Sequence, residues 1–177
     1  MSFHEGLDDL GTYYQIRKVD GTTPILFIHG VGLDHSMWSP QTDFFKNQTT
    51  IVYDLIGHGY STCTQHEVNF EDFSYQIESL LQILRIQKVI IIGFSLGGLI
   101  AAHFSSTRKH YALKTVLFGT IFNRTDEQQK KAAERFINIQ ETYLNASQQL
   151  DRWFNQDYLS SHPNIAEKIT NILNNNN

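Results

Sequence analysis

The chain has 177 residues, of which 41% are hydrophobic, enough for one domain with a substantial core. Its net charge of -4 does not indicate a basic surface that would bind nucleic acid or an anionic membrane. Its single cysteine, Cys63, excludes an internal disulfide. Because the N-terminus has no signal-peptide pattern and no apolar run reaches the length of a membrane span, we predict a soluble, cytoplasmic protein.

The first predicted elements are two strands joined by a turn. Thr12 to Val19 alternates loosely, and Asp20-Gly21 predicts a hairpin into a second strand, Pro24 to Ile28. That strand ends on His29-Gly30-Val31-Gly32. Glycines around one residue can leave its N–H free to bind an oxyanion, or they can form an ordinary turn. Taken alone, this segment favours the ordinary turn.

A helix and a third buried strand follow. Ser36 to Asn47 carries apolar aromatic side chains among polar residues, which indicates a helix packed on a sheet, and Thr50 to Tyr53 is typical of a buried strand. The next segment, Asp54 to Ser61, includes an aspartate and His58, two groups that serve in catalysis elsewhere. Their spacing favours a tight turn held by its own polar side chains.

The next helix has a clear start and a clear apolar face. Asn69 can cap it, and Asp72 three positions later favours its first turn. Its apolar residues share one helical face: Phe73, Ile77, Leu80, Leu81 and Leu84. This helix leads into the β-branched run Val89 to Ile92, which predicts a central buried strand.

That strand runs into Gly93-Phe94-Ser95-Leu96-Gly97-Gly98, a G-x-S-x-G pattern followed by a sequence that favours a helix. In this pattern a sharp strand-to-helix turn exposes a nucleophilic serine in strained backbone geometry, and the glycines lack a Cβ that would collide across the turn. The N–H groups at the helix start then point toward chemistry on Ser95. The alternative is a glycine-rich connection without catalytic meaning.

The last strand signal is Thr115 to Phe118, and helical patterns occupy the chain from Asn123 onward. Strands that alternate with amphipathic helices predict an α/β fold, with a mostly parallel sheet covered by helices on both faces. In the helical segment, Thr125 with Gln128 is typical of a capping box. Its apolar residues repeat at helical spacing: Ala132, Phe136, Ile139, Tyr143, and then Ile165, Ile169, Ile172. We place the core in 1–122 and the helical segment in 123–177.

Taken together, these motifs resemble the α/β-hydrolase superfamily over nearly the whole chain. His29 to Gly32 is similar to its oxyanion loop, Asp54 to Ser61 to its D-x-x-G-x-G-x-S turn, and Gly93 to Gly98 to its nucleophile elbow. The three motifs also stand in the family's order. The segment that begins at Arg152-Trp153-Phe154 is similar to the helical cap of oxoadipate enol-lactonases and related small esterases.

The resemblance implies specific roles and a small ester or lactone as substrate. Ser95 would attack a carbonyl carbon, the main-chain N–H groups of Val31 and Leu96 would hold the oxyanion, and Trp153 in the cap would roof the substrate pocket. No metal or organic cofactor is implied. The sequence also contains neither C-x-x-C nor H-E-x-x-H.

One departure from the family pattern concerns the catalytic base. Family order is serine, then Asp or Glu, then histidine, and a serine hydroxyl without a base is a poor nucleophile. After the Thr115 strand the only histidine is His162, which we expect to be a solvated residue on a loop. His103 follows on the Ser95 helix, beneath the elbow, where a side chain would not usually reach Ser95. We therefore predict a C-terminally truncated α/β hydrolase that lacks the later strands with their acid and histidine, and whose activity is impaired.

Two consequences and two alternatives follow from that departure. Residues 115–122 become a sheet edge, apolar on both faces, which predicts self-association. One alternative is a non-catalytic pseudoenzyme or interaction module. The other is an acyltransferase, which would share Ser95 and the same oxyanion donors and differ only in whether water reaches the acyl-enzyme.

Overall fold

The structure is a computed structural model that describes residues 1–141 and 146–175, with the side chains of 135–141 and 175 outside the description. The chain divides into two compact units, Met1–Thr120 and Ile121–Asn177. The observed boundary lies two residues before the one that the sequence predicts. No helix within the described residues is both long and apolar enough to cross a membrane.

The first unit is built on a six-stranded mixed sheet, in the spatial order β1-β2-β4-β3-β5-β6. Strands β4, β3, β5 and β6 run parallel, whereas β1 and β2 are antiparallel to their neighbours. The predicted α/β class with a mostly parallel sheet is confirmed. The strand bounds are β1 Ser2–Leu7, β2 Tyr13–Lys18, β3 Ile25–Ile28, β4 Thr50–Tyr53, β5 Val89–Phe94 and β6 Ala112–Phe118.

The predicted hairpin between Thr12–Val19 and Pro24–Ile28 is wrong. Strand β2 pairs instead with β1 on one side and with β4 on the other, so that Tyr14 lies opposite both Gly6 and Tyr53. Strand β3 pairs in parallel with β4 on one side and with β5 on the other, so it has no free edge left for β2. Its four residues are all buried, as expected of a parallel strand covered by helices on both faces. Strand β1 is largely exposed, and its sequence has no alternation of apolar and polar residues. It is recognised as a strand only by its pairing with β2.

Helices cover both faces of the sheet, as predicted. On one face α2 (Phe70–Ile83) and α3 (Leu96–Thr107) pack against alternate strand residues. On the other face, a 3-10 helix (His35–Trp38) and α1 (Ser39–Phe44) replace the single helix predicted there. A proline at the start of α1 separates the two, and Trp38 packs beneath Phe27 with the ring centroids 5.0 Å apart.

The predicted start and apolar face of α2 are confirmed. The Asn69 side chain accepts hydrogen bonds from the N–H groups of Glu71 and Asp72, and the Asp72 carboxylate accepts one from the Asn69 N–H. This capping box contributes about 1 kcal/mol to helix stability. The apolar face of α2 is fully buried at three positions, Ile77, Leu80 and Leu81.

Strand β6 lies at the edge of the sheet and pairs only with β5. Apart from half-buried Ala112, its residues are exposed, including four apolar side chains: Leu113, Val116, Leu117 and Phe118. The position at the edge matches the sequence prediction. Self-association through this edge stays a prediction.

The second unit is helical. Its helices are α4 (Asp126–Glu141), α5 (Ala146–Trp153), α6 (Gln156–Ser161) and α7 (Pro163–Asn175), of which α6 was not predicted. The predicted capping box is confirmed, since the Thr125 and Gln128 side chains each accept the other's N–H. The Ile165, Ile169 and Ile172 face of α7 is half-buried to buried. The predicted apolar positions Phe136, Ile139 and Tyr143 lie outside the described side chains.

Candidate active site

Ser95 occupies a sharp bend between β5 and α3. Its backbone has φ 53° and ψ -114°. Residues other than glycine rarely adopt this conformation, which stores strain of order 1 kcal/mol or more. Four neighbours hold the bend. The Ser95 N–H donates to the Phe118 carbonyl at 3.0 Å, and its carbonyl accepts from the Gly98 N–H at 3.0 Å, the Leu99 N–H at 3.3 Å and the Thr120 hydroxyl at 2.8 Å. The strand-to-helix turn expected from the sequence is therefore present.

The glycines on either side of the bend permit close backbone contacts. A Cβ on Gly93 would lie 2.1 Å from the carbonyl oxygen of Gly97. A Cβ on Gly97 would lie 2.3 Å from the carbonyl oxygen of Ile28, at the end of β3. Real Cβ atoms do not approach oxygen so closely, so α3 can begin against the ends of β5 and β3 only with glycine at both positions.

The loop after β3 lies directly against Ser95. A Cβ on Gly30 would be 3.3 Å from the Ser95 Cβ. Within the part of the chain that the structure describes, neither the Val31 N–H nor the Leu96 N–H donates a hydrogen bond. The structure therefore brings the two loops together with both N–H groups available. Their role as oxyanion donors stays a prediction.

His29, just before that loop, is fully buried and makes two hydrogen bonds. Its Nε2 accepts from the Leu55 N–H at 2.9 Å, and its Nδ1 lies 2.8 Å from the Gly30 carbonyl oxygen. Because the first partner can only donate and the second can only accept, the ring must be neutral with its proton on Nδ1. Burial, with a smaller contribution from nearby His58, lowers the pKa of His29 to about 3.

Asp54 organises the turn after β4 rather than the Ser95 site. Its buried carboxylate accepts hydrogen bonds from the N–H of His35 at 2.7 Å, from the His35 Nδ1 at 2.8 Å and from the Tyr60 N–H at 2.9 Å. Burial raises the pKa of this carboxyl, but the hydrogen bonds from His35 and Tyr60 outweigh it and leave the pKa below its ordinary value. The expected polar turn is observed, with His35 as a partner that the sequence did not indicate.

No histidine or carboxylate forms a hydrogen bond with the Ser95 hydroxyl among the described residues. His58 donates through Nδ1 to the Ile56 carbonyl oxygen at 3.1 Å, and burial lowers its pKa. His103 is 2.8 Å from the Ser74 hydroxyl, between α3 and α2. His162 lies in the second unit, where its ring stacks on Tyr158.

The remaining predicted site residue, Trp153, is the last residue of α5 in the second unit and is 36% exposed. Its role over a substrate pocket stays a prediction. Among the side chains that the structure describes, no three His, Cys, Asp or Glu residues form a group that could hold a metal ion. Sequence reasoning did not single out Thr120, because its contact with Ser95 exists only once β6 lies beside β5.

Comparisons with known proteins agree with this geometry. A family model described as the alpha/beta hydrolase fold matches residues 23–175. The (E)-2-((N-methylformamido)methylene)succinate hydrolase of Acinetobacter baylyi is 29% identical over 134 residues, covering 75% of this chain and 51% of that protein. The 3-oxoadipate enol-lactonase 1 of the same organism is 29% identical over 162 residues, covering 90% of this chain and 60% of that protein.

A solved structure adds a likeness of fold. The enol-lactonase from Burkholderia xenovorans superposes with a TM-score of 0.79 at 23% identity, covering 92% of this chain and 64% of that one. The chain spans about half to three fifths of the length of these two curated relatives. The family model, the hydrolase relatives and the Ser95 bend agree, and the chain belongs to the α/β-hydrolase fold family.

Proposed function

We propose that the chain carries the nucleophile of a serine hydrolase of small carboxylic esters or lactones. The observation that carries this proposal is the strained bend at Ser95, which lies against the β3 loop with two main-chain N–H groups available beside it. A backbone held at φ 53° by four hydrogen-bonded neighbours is a conformation that an ordinary connection does not need.

The reaction would proceed in two steps. The Ser95 oxygen attacks the carbonyl carbon of the ester and passes its proton to a base, and the N–H groups of Val31 and Leu96 hold the negative oxygen. The C–O bond to the alcohol then breaks, the alcohol oxygen takes up the proton, and an acyl-enzyme remains. Water attacks this intermediate, which releases the carboxylic acid and restores the serine hydroxyl.

The names of the relatives support the substrate class. A 3-oxoadipate enol-lactonase acts on a lactone, which is a cyclic ester, and the succinate-type hydrolase is also a hydrolase of a small carboxylic compound. In a lactone the alcohol and acyl parts belong to one molecule and stay joined after the ring opens.

The base is the component that the described contacts do not supply. Within the described residues of the first unit, neither His58 nor His103 is bonded to Ser95, and each has another partner. This observation favours the second candidate function, a non-catalytic chain on the same fold. The two candidates differ in one measurable property, the reactivity of the Ser95 hydroxyl.

A fluorophosphonate probe with intact-mass detection tests the proposal, with and without added imidazole as an external base. We expect the native chain to be labelled once and Ser95→Ala to remain unlabelled. Ser105→Ala is the matched control, since that serine lies on the same helix but its hydroxyl is bonded to Thr115. Labelling of Ser95→Ala, or no labelling of the native chain even with imidazole, would contradict the proposal.

A further inference from the structure

Both N–H groups proposed as oxyanion donors belong to peptide units whose carbonyls are held by a side chain. A peptide unit is planar and trans, so its C=O and its N–H point in opposite directions along one rigid plane. A hydrogen bond to the carbonyl oxygen therefore fixes where the N–H points. The relevant carbonyls are those of Ser95, before Leu96, and of Gly30, before Val31.

The first carbonyl is held by Thr120. The Thr120 hydroxyl donates to the Ser95 carbonyl oxygen at 2.8 Å, on the side of the peptide unit opposite the Leu96 N–H. Thr120 lies just beyond β6 and packs closely against the start of α3, since a Cβ on Gly98 would lie 2.7 Å from the Thr120 Cβ. A β-branched side chain with one hydroxyl fits here because its χ1 freedom is small.

The second carbonyl is held by His29. Its Nδ1–H donates to the Gly30 carbonyl oxygen at 2.8 Å, on the side of the peptide unit opposite the Val31 N–H. The ring cannot turn away, because its Nε2 accepts the Leu55 N–H at 2.9 Å and the side chain is fully buried. Each carbonyl also accepts main-chain N–H groups of its own turn, from Leu33 at 3.2 Å for Gly30 and from Gly98 at 3.0 Å and Leu99 at 3.3 Å for Ser95. In both cases the side chain from elsewhere in the fold is the shortest of the donors.

We propose that Thr120 and His29 are positioning residues, each of which orients one of the two peptide units that present an N–H group to the Ser95 site. The inference rests on the proposed function for its catalytic meaning. The two hydrogen bonds also polarise each unit, which makes its N–H a stronger donor. Neither residue touches the substrate in this scheme, and each acts through the adjacent main chain.

Isosteric variants of Thr120 provide the test. Thr120→Val removes the hydroxyl and keeps the shape, Thr120→Ser keeps the hydroxyl, and Thr115→Val is the matched control. The control hydroxyl bonds to Ser105, ten residues along α3 from Ser95 and about 15 Å away along the helix axis. Two quantities are measured in each variant: the amide ¹H and ¹⁵N shifts of Leu96 and Val31, and the kinetics of fluorophosphonate labelling with imidazole present.

The expected pattern separates positioning from general stability. Thr120→Val should shift the Leu96 amide signals, leave those of Val31 in place, and slow the bond-forming step about tenfold at unchanged probe affinity, the effect of one lost hydrogen bond. Thr120→Ser should restore both readouts, and Thr115→Val should change neither. For His29, the ring ¹⁵N spectrum should show a neutral imidazole with its proton on Nδ1.

Three results would overturn the inference. One is a Thr120→Val protein that matches Thr115→Val in shift and rate. Another is a loss of rate and affinity together with thermal stability that serine does not restore, which indicates a purely structural role. The third is a His29 proton on Nε2. If the native chain is not labelled at all, the proposed function fails, and the nitrogen shifts alone then decide whether these residues orient the two peptide units.

Discussion

The buried His29 makes the stability of the first unit depend on pH between neutral and mildly acidic conditions. Folding lowers its pKa from 6.5 to about 3, so the unfolded chain binds a proton that the folded chain does not between those values. Stability is therefore full above pH 6.5 and falls as the pH decreases. The expected loss from this one residue between pH 8 and pH 5 is about 2 kcal/mol.

Other titratable groups near His29 also contribute to the pH dependence of stability, and their contributions have to be distinguished from that of His29. His58 has a lowered pKa for the same reason and contributes a loss of the same sign. The pKa of Asp54 is also lowered, but an acid with a lowered pKa loses its contribution only as the pH falls below the ordinary value of 3.8. His35 also lies near these groups, and its Nδ1 is hydrogen-bonded to the Asp54 carboxylate.

Urea unfolding at pH 8, 7, 6 and 5, at constant ionic strength, measures the effect. The chain has two tryptophans, and a Trp153→Phe background leaves buried Trp38 as the reporter for the first unit. His29→Gln is the key variant, since its amide can donate and accept but does not titrate. This variant should be less stable than the native chain at pH 8, but its free energy of unfolding should fall less steeply as the pH decreases. The variant His58→Gln measures the contribution of His58, which is then subtracted. An unchanged slope in His29→Gln would refute the reasoning.

Three further predictions concern the elbow and the sheet edge. Ser95→Gly should raise the free energy of unfolding by about 1 kcal/mol, because glycine adopts φ 53° without strain, and a lower value in urea unfolding would contradict the strained bend. Gly97→Ala should destabilise by about 2 kcal/mol or more, since its Cβ would meet two main-chain oxygens at 2.3 and 2.5 Å. Gly6→Ala, where a Cβ meets nothing within 4 Å, is the control, and equal melting temperatures for the two would count against the close contact. For the β6 edge, light scattering after size exclusion should give a mass above 20.4 kDa that falls in Leu117→Lys, whereas a native chain that runs as a monomer would contradict self-association.

Local patterns predicted the elements whose residues determine their own conformation. Asn69 and Thr125 begin helices as expected, because a capping side chain bonds to main-chain groups within three residues of itself. The Ser95 turn was predictable for a similar reason, since a Cβ on Gly93 would meet the carbonyl oxygen of Gly97, four residues along the chain. These interactions join residues that are close in sequence, so the local sequence pattern is enough to predict them.

Strand pairing and the support of the site were not predictable in that way. Strand β2 has no local feature that selects β4 over β3, and β1 has no apolar alternation at all, so their positions depend on which edge the parallel strands leave free. Thr120 and His35 are similar cases. Each donates to a group that lies 25 or 19 residues away in sequence, and no periodicity records such a contact.

The sequence by itself determined the α/β class, the helix starts, and the serine at a tight bend between glycines, because short-range backbone geometry and hydrophobic periodicity specify these. Only the tertiary structure decided which strands are neighbours, which tautomer His29 adopts, and that Thr120 and His29 hold the carbonyls of the two peptide units beside Ser95. The physical reason is that a hydrogen bond between distant segments depends on the packing of the whole sheet, whereas a turn or a cap depends on a few adjacent residues.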